Sequence, residues 1–163
     1  MESQPPQSSF VTLLGKTILP KVQIIGLIVG VIGVIFKIQD YSGASDLLTI
    51  SLSILAGCYF LLAFMVVQLP PTTKPSVYSL ILYKVIYIAC SVTIIGILFA
   101  LLKLEGVDQM LLMGAAILGV ASLAAGALIL SNNDNLIVLK RPLISGVALL
   151  IIGLYFLKSL SVI

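Results

Sequence analysis

The sequence predicts an all-α integral membrane protein, a bundle of five transmembrane helices built from two parallel-repeat helical hairpins plus a fifth helix. Of its 163 residues, 60% are apolar and only 9% are charged, whereas a soluble domain carries about 25% charged residues. Five apolar segments approach or exceed the ~20 residues that span a bilayer as a helix. The chain also repeats itself at an interval of 63 residues.

The five segments cover residues 22–38, 46–69, 77–102 and 108–130, with a fifth from near Pro142 to the C-terminus. Each should be helical, because the bilayer core offers no water to satisfy a free backbone. Pro142 suits the first turn of a helix. Residues 1–21 are expected to be a tail in which residues 10–19 are either a short interfacial helix or irregular. Residues 22–163 form the transmembrane domain.

The distribution of basic residues predicts the orientation. Six of the nine Lys and Arg residues lie on the side of the N-terminus and of the loops after the second and fourth segments. Since basic residues concentrate on the cytoplasmic side of a membrane, we expect a cytoplasmic N-terminus and a periplasmic C-terminus in the bacterial inner (cytoplasmic) membrane.

The internal repeat aligns residues 21–57 with residues 84–120 without a gap, with 11 identities in 37 positions. The repeat units cover about residues 21–69 and 84–130, and a half unit covers about residues 141–163. Three kinds of residue recur at matching positions, namely a basic residue (Lys21, Lys84, Arg141), a glycine (Gly33, Gly96, Gly153) and a phenylalanine (Phe36, Phe99, Phe156).

These recurring residues predict packing and anchoring roles. The basic residues and Phe36, Phe99 and Phe156 are expected to anchor the helices at the two membrane interfaces. Glycines let helix backbones approach closely, and a second recurring pair, Gly43 and Gly106, permits a tight turn between segments.

Small residues indicate further helix contacts. The first segment carries a GxxxG motif at Gly26 and Gly30, and the fourth is rich in Gly and Ala, including Gly114, Gly119 and Gly126. Such faces allow close packing of membrane helices. We therefore expect the fourth helix to be central in the bundle or to contact another subunit.

One segment carries a family resemblance. Residues 33–44, GVIFKIQDYSGA, resemble the pattern G-x-x-F-K-I-x-H-W-P-G-A found between two spans in Bacteroidota membrane proteins. Its best-known bearer is the GldL/PorL family, the inner-membrane motor subunit of gliding motility and type IX secretion. The likeness covers about residues 22–68 and implies a related hairpin and a Bacteroidota source.

The sequence departs from the family pattern in the loop and in the second span. Asp40, Tyr41 and Ser42 replace the His-Trp-Pro of the pattern. The family carries a carboxylate inside its second span for the ion-driven step, whereas the matching place here reads Ile54-Leu55-Ala56. This departure argues against motor function.

The remaining polar residues permit two interpretations each. Lys84, near Tyr78, Tyr83 and Tyr87, is expected to anchor an aromatic belt or to hold an anionic headgroup. Asp46 and Asp108 are expected to cap helices or, with the other carboxylates of their side of the membrane, to hold a cation. Cys58 and Cys90 are expected to behave as small apolar residues, the alternative being a disulfide or a catalytic thiol.

The composition limits the chemistry. The chain has no His and only two Cys, so a Ser-His-Asp triad or an ordinary His/Cys zinc site cannot be built. We predict no catalytic, cofactor-binding or metal-binding residues, no cofactor and no nucleic-acid partner. The partners expected are membrane lipids and either other membrane subunits or copies of the same chain.

These observations favour a non-catalytic structural or accessory subunit of a membrane complex. The alternative is a small transporter or channel. An enzyme acting on lipid is the least favoured, because no acid/base pair can be named.

Overall fold

The computed structural model describes residues 17–65, 76–131 and 134–159. It confirms an all-α fold. The five helices in this part of the chain are α1 Leu19–Ile38, α2 Ala44–Phe64, α3 Val77–Leu102, α4 Val107–Ser131 and α5 Asp134–Ser159. Each includes a stretch long and apolar enough to cross a bilayer. The chain is therefore a multi-pass membrane protein. Most of the N-terminal tail, with most of the segment considered for an interfacial helix, lies outside the described residues.

The turn between α1 and α2 and the turn between α3 and α4 have the same backbone geometry. Asp40 and Lys103 are equivalent in the repeat and both have a φ of 55°, while Gly43 and Gly106 have φ values of 86° and 83°. In each turn two backbone hydrogen bonds end the preceding helix, including Tyr41 N–H to Phe36 O and Leu104 N–H to Phe99 O, both at 3.0 Å. This is the Schellman arrangement, and it defines what we call the turn end of the bundle.

The repeat extends to side-chain packing. A Cβ built on Gly33 would lie 3.1 Å from Cγ of Leu48, and one built on Gly96 would lie 3.1 Å from Cγ of Leu111. Both leucines are fully buried. Hence α1 packs on α2, and α3 on α4, through the same pair of positions.

The helices pack around α3. This helix contacts α2, α4 and α5, whereas α1 contacts mainly α2. More than half (56%) of the apolar window of α3 is buried, against 28% for α4. Of the two alternatives for the fourth helix, a central position is therefore wrong, and contact with another subunit stays a prediction. The small residues of α4 allow neighbours to approach on one side only, and its large side chains, such as Val120 and Leu123, are exposed.

Helix α5 begins earlier than its sequence predicts. It starts at Asp134 and contains Pro142 in its interior, where the proline ring is fully buried. The hydroxyl of Ser145 donates to the carbonyl oxygens of Arg141 (3.2 Å) and Pro142 (3.1 Å). These bonds do not reach the carbonyl of Val138, which lacks a donor because proline has no N–H. Proline is nevertheless tolerated inside membrane helices, where neighbouring groups and local adjustments satisfy the backbone.

The two aspartates are not N-caps. Gly43 occupies the N-cap position of α2, and Asp46 lies within the first turn. Asp108 is the second residue of α4. A carboxylate in the first turn still interacts favourably with the positive end of the helix dipole, so the residue type suits the position although the predicted hydrogen bond is absent.

Candidate functional site

The buried aromatic side chains gather where α2, α3 and α5 meet. Tyr59 of α2 and Tyr87 of α3 have ring centroids 5.9 Å apart, and Tyr83 packs edge-on against Tyr87 at 4.8 Å. We call these three residues the tyrosine cluster. Tyr87 is only 6% exposed, so the cluster belongs to the interior of the bundle.

Two smaller polar side chains complete this region. Tyr59 and Cys90 both approach the hydroxyl of Ser145 on α5. Because that hydroxyl donates to backbone carbonyls, its oxygen is free to accept from the phenol or the thiol. The region thus joins side chains from three helices.

Helical spacing explains how these residues converge. Tyr83, Tyr87 and Cys90 are separated by four and three residues, which places them on one face of α3. The same spacing was present in the sequence and indicated a shared face, whereas the burial of that face depends on the packing of α2 and α5.

The tyrosines correct the expected aromatic belt. Tyr78 is 69% exposed, as a belt residue should be, and Lys84 is also exposed. Tyr83 and Tyr87 instead turn toward α2 and α5. Sequence proximity to Lys84 concealed this, because neighbouring residues on a helix point in different directions.

The other predicted anchors lie at opposite ends of the bundle. Lys21 and Arg141 are exposed near the end opposite the turns. At the turn end, Phe36 packs edge-on against Tyr41 with centroids 5.4 Å apart. Phe99 and Phe156 are partly buried and pack against one apolar cluster that includes Leu111 and Leu157.

The predicted packing glycines differ in their surroundings. Gly26 and Gly30 face α2, where a Cβ would lie 3.7 Å from the backbone oxygen of Ser51 and 3.6 Å from its hydroxyl, respectively. Gly114 faces Thr93 much more closely, and a Cβ on Gly119 would lie 3.5 Å from Leu150. At Gly126 a Cβ would meet nothing within 4 Å, so no described neighbour requires glycine there.

The carboxylates of the turn end do not form a metal site. Asp40, Asp46, Glu105 and Asp108 are all exposed. Among the residues that the structure describes, no three His, Cys, Asp or Glu side chains lie together in a way that could hold a metal ion. Lys37 nearby donates to the hydroxyl of Ser45 at 3.1 Å.

The tyrosine cluster is suited to hydrogen bonding and packing. Phenols and thiols ordinarily lose their protons only at about pH 10 and 8.5. The groups that converge here are therefore neutral donors and acceptors at physiological pH. Such groups hydrogen-bond across membrane helices and favour their association.

Comparison with known proteins adds no relative to this description. No protein-family model matches the chain, and no curated protein or solved structure gives a significant match.

Proposed function

We propose that the protein is a non-catalytic structural or accessory subunit of a complex in the bacterial inner membrane. One observation carries the proposal: the polar side chains of the described interior are neutral. Ser51 and Thr93 donate to the backbone of their own helices, and others join two helices. Ser91 of α3, for example, donates to the carbonyl of Ala56 on α2 at 2.9 Å. The charged side chains whose burial the structure describes are exposed, apart from the half-buried Lys37 near the turn end.

The close contacts between helices support a framework role. Gly33 meets Leu48, Gly96 meets Leu111, and Gly114 meets Thr93 at distances that leave little freedom for the helices to slide. Transport by alternating access requires helices or repeats to move against each other. A bundle with such close helix contacts is better suited to hold neighbouring subunits of a complex in place.

The distribution of charge supports the proposed orientation. Lys21, Lys84, Lys140 and Arg141 lie toward the end opposite the turns, against Lys37, Lys103 and Lys158 toward the turn end. With basic residues on the cytoplasmic side, the N-terminus is cytoplasmic and the C-terminus periplasmic.

The likeness to the GldL/PorL hairpin is part of the proposal. It rests on the turn between α1 and α2, where Asp40 takes the left-handed conformation at the position of the family's histidine. In α2, Leu55 and Ala56 are buried and Ile54 is exposed, so the matching place holds only apolar side chains. We propose a shared hairpin and a Bacteroidota source without the ion-driven step.

Purification under mild conditions tests the proposal. The tagged protein is extracted from its native membrane in mild detergent, cross-linked, and its co-eluting proteins are quantified by mass spectrometry. A stoichiometric partner, or a defined oligomer of the chain itself, is the expected result. A lone protein that moves a solute across liposomes, with loss of movement in Lys84→Gln or Asp108→Asn, would refute it and support the transporter or channel.

A further inference from the structure

A lateral groove lies between α2 and α3 on the outside of the bundle. It has a volume of about 560 Å³ and extends along α2 from Thr49 to Phe60 and along α3 from Ser91 to Leu102, ending at Leu104 beyond the helix. Its volume is within the range of small-molecule pockets in proteins, about 300–1,000 Å³. The groove therefore offers room for a ligand within the membrane-spanning part of the chain.

The groove remains open because its floor is made of small residues. The two helices touch at the floor, where the Ser91 hydroxyl donates to the carbonyl of Ala56. Beside this contact, a Cβ built on Gly57 would meet nothing within 4 Å. Packing within the chain does not require glycine there, and the second repeat has Val120 at the equivalent position.

The lining offers little to a polar ligand. The hydroxyl of Thr49 donates to the carbonyl of Ser45 at 2.8 Å, and that of Ser91 donates to Ala56. Both of these donors are already used by the backbone, and the exposed hydroxyl of Ser53 is the third in the lining. Large apolar side chains form most of the remaining surface, including Phe60, Ile95, Leu98 and Phe99.

A lysine lies beside the turn end of the groove. Leu102 and Leu104 both line the groove, and Lys103 between them and Glu105 after them are exposed. A lysine at the membrane surface attracts the phosphate of a lipid headgroup. This places an apolar channel and a cation in the order in which a phospholipid presents its acyl chain and its phosphate.

We propose that this groove binds one acyl chain of a membrane phospholipid, with the headgroup at the turn end near Lys103. A helix of a partner protein is the alternative occupant, and lipid cross-linking distinguishes the two. The inference is independent of the proposed subunit role.

Photo-cross-linking tests the acyl chain. The full chain in nanodiscs is exposed to phosphatidylglycerol carrying a diazirine on one acyl chain, and the adducts are mapped by mass spectrometry. Adducts should concentrate on residues 49–60 and 91–104. Gly57→Leu should lower their yield by about fivefold or more, because its side chain fills the space that the acyl chain occupies.

Matched variants distinguish groove filling from general damage. Gly126→Leu adds the same side chain at another helix glycine with open space around it, and should leave the adducts unchanged. Circular dichroism and thermal unfolding report whether each variant is folded. If Gly57→Leu does not fold, Ser53→Leu, at another exposed position lining the groove, replaces it.

Several results would overturn the proposal. Adducts spread evenly over the lipid-facing surface would do so, as would equal yields in Gly57→Leu and the parent protein. Preferential labelling by a diazirine fatty acid, not reduced by excess phospholipid, would assign the groove to a free fatty acid. Loss of a co-purifying protein in Gly57→Leu with unchanged lipid adducts would assign it to a partner.

Discussion

Gly114 of α4 lies so close to Thr93 of α3 that a Cβ built on the glycine would be 2.6 Å from the threonine Oγ1 and 3.2 Å from its Cα. Thr93 cannot easily yield, because it is fully buried and its hydroxyl donates to the carbonyl of Ala89 at 2.8 Å. On its other side, Gly153 of α5 also contacts Thr93. Three helices therefore meet around this threonine.

Gly114→Ala should reduce the free energy of unfolding by about 1–3 kcal/mol, the usual cost of overpacking a filled interior. Unfolding in mixed detergent micelles followed by circular dichroism measures the change. Gly126→Ala is the control, since its added methyl group meets open space. Equal stability of Gly114→Ala and the parent would show that the contact is not close in solution.

Replacing the left-handed residues Lys103 and Asp40 by glycine should change the stability of the protein to different extents. Lys103→Gly should stabilise the protein by about 1 kcal/mol. A side chain in this conformation costs roughly 1–2 kcal/mol, and glycine offsets part of the gain because it loses more backbone entropy on folding. Asp40→Gly should gain less, since Asp tolerates the conformation better. Thermal unfolding of both variants in one detergent gives the comparison, and a larger gain at Asp40 would contradict it.

Replacing the glycines of the turns tests whether the two repeats have equivalent turns. Gly43 and Gly106 have positive φ values and no atom near a built Cβ, so replacement by Ala acts on the backbone alone. Each variant should lose about 1–2 kcal/mol of stability, and the two losses should be similar. A loss at one position only would mean that the turns differ in solution.

Tyr87 should contribute mainly by packing. Tyr87→Ala removes a buried ring and should cost about 3–5 kcal/mol, as for other large-to-small aromatic substitutions. Tyr87→Phe keeps the ring and should cost about 1 kcal/mol, the net value of a typical hydrogen bond. Unfolding measurements on both variants give the two losses of stability, and Tyr78→Ala, at an exposed tyrosine, is the control. A larger loss from Tyr87→Phe than from Tyr87→Ala would exclude a packing role.

Cysteine labelling should establish the orientation. In a Cys58→Ala, Cys90→Ala background, Ser45→Cys at the turn end should react with a membrane-impermeant maleimide in spheroplasts. Lys140→Cys should react only after the membrane is opened. The reverse pattern would invert the proposed topology. The native cysteines should react slowly in the folded protein, because both are buried.

Local features of the fold were predictable from the sequence. The repeat indicated equivalent turns at Gly43 and Gly106, and their φ values agree within 3°. Apolar length predicted the five spans, since bilayer thickness sets a minimum for each. The prediction that the fifth helix begins near Pro142 was wrong. A proline inside a membrane helix and one in its first turn leave the same local pattern, and the packing of neighbouring helices determines which occurs.

By itself, the sequence determined the membrane class, the number of helices and the positions of the hairpin turns, because these depend on composition, segment length and local backbone preference. Only the tertiary structure decided that α3 is central, that Tyr83 and Tyr87 face inward, and that Gly57 borders a groove. In a soluble helix, the contrast between polar and apolar faces marks the buried side. In a bilayer, lipid and protein interior are equally apolar, so the buried face of each helix follows from side-chain packing.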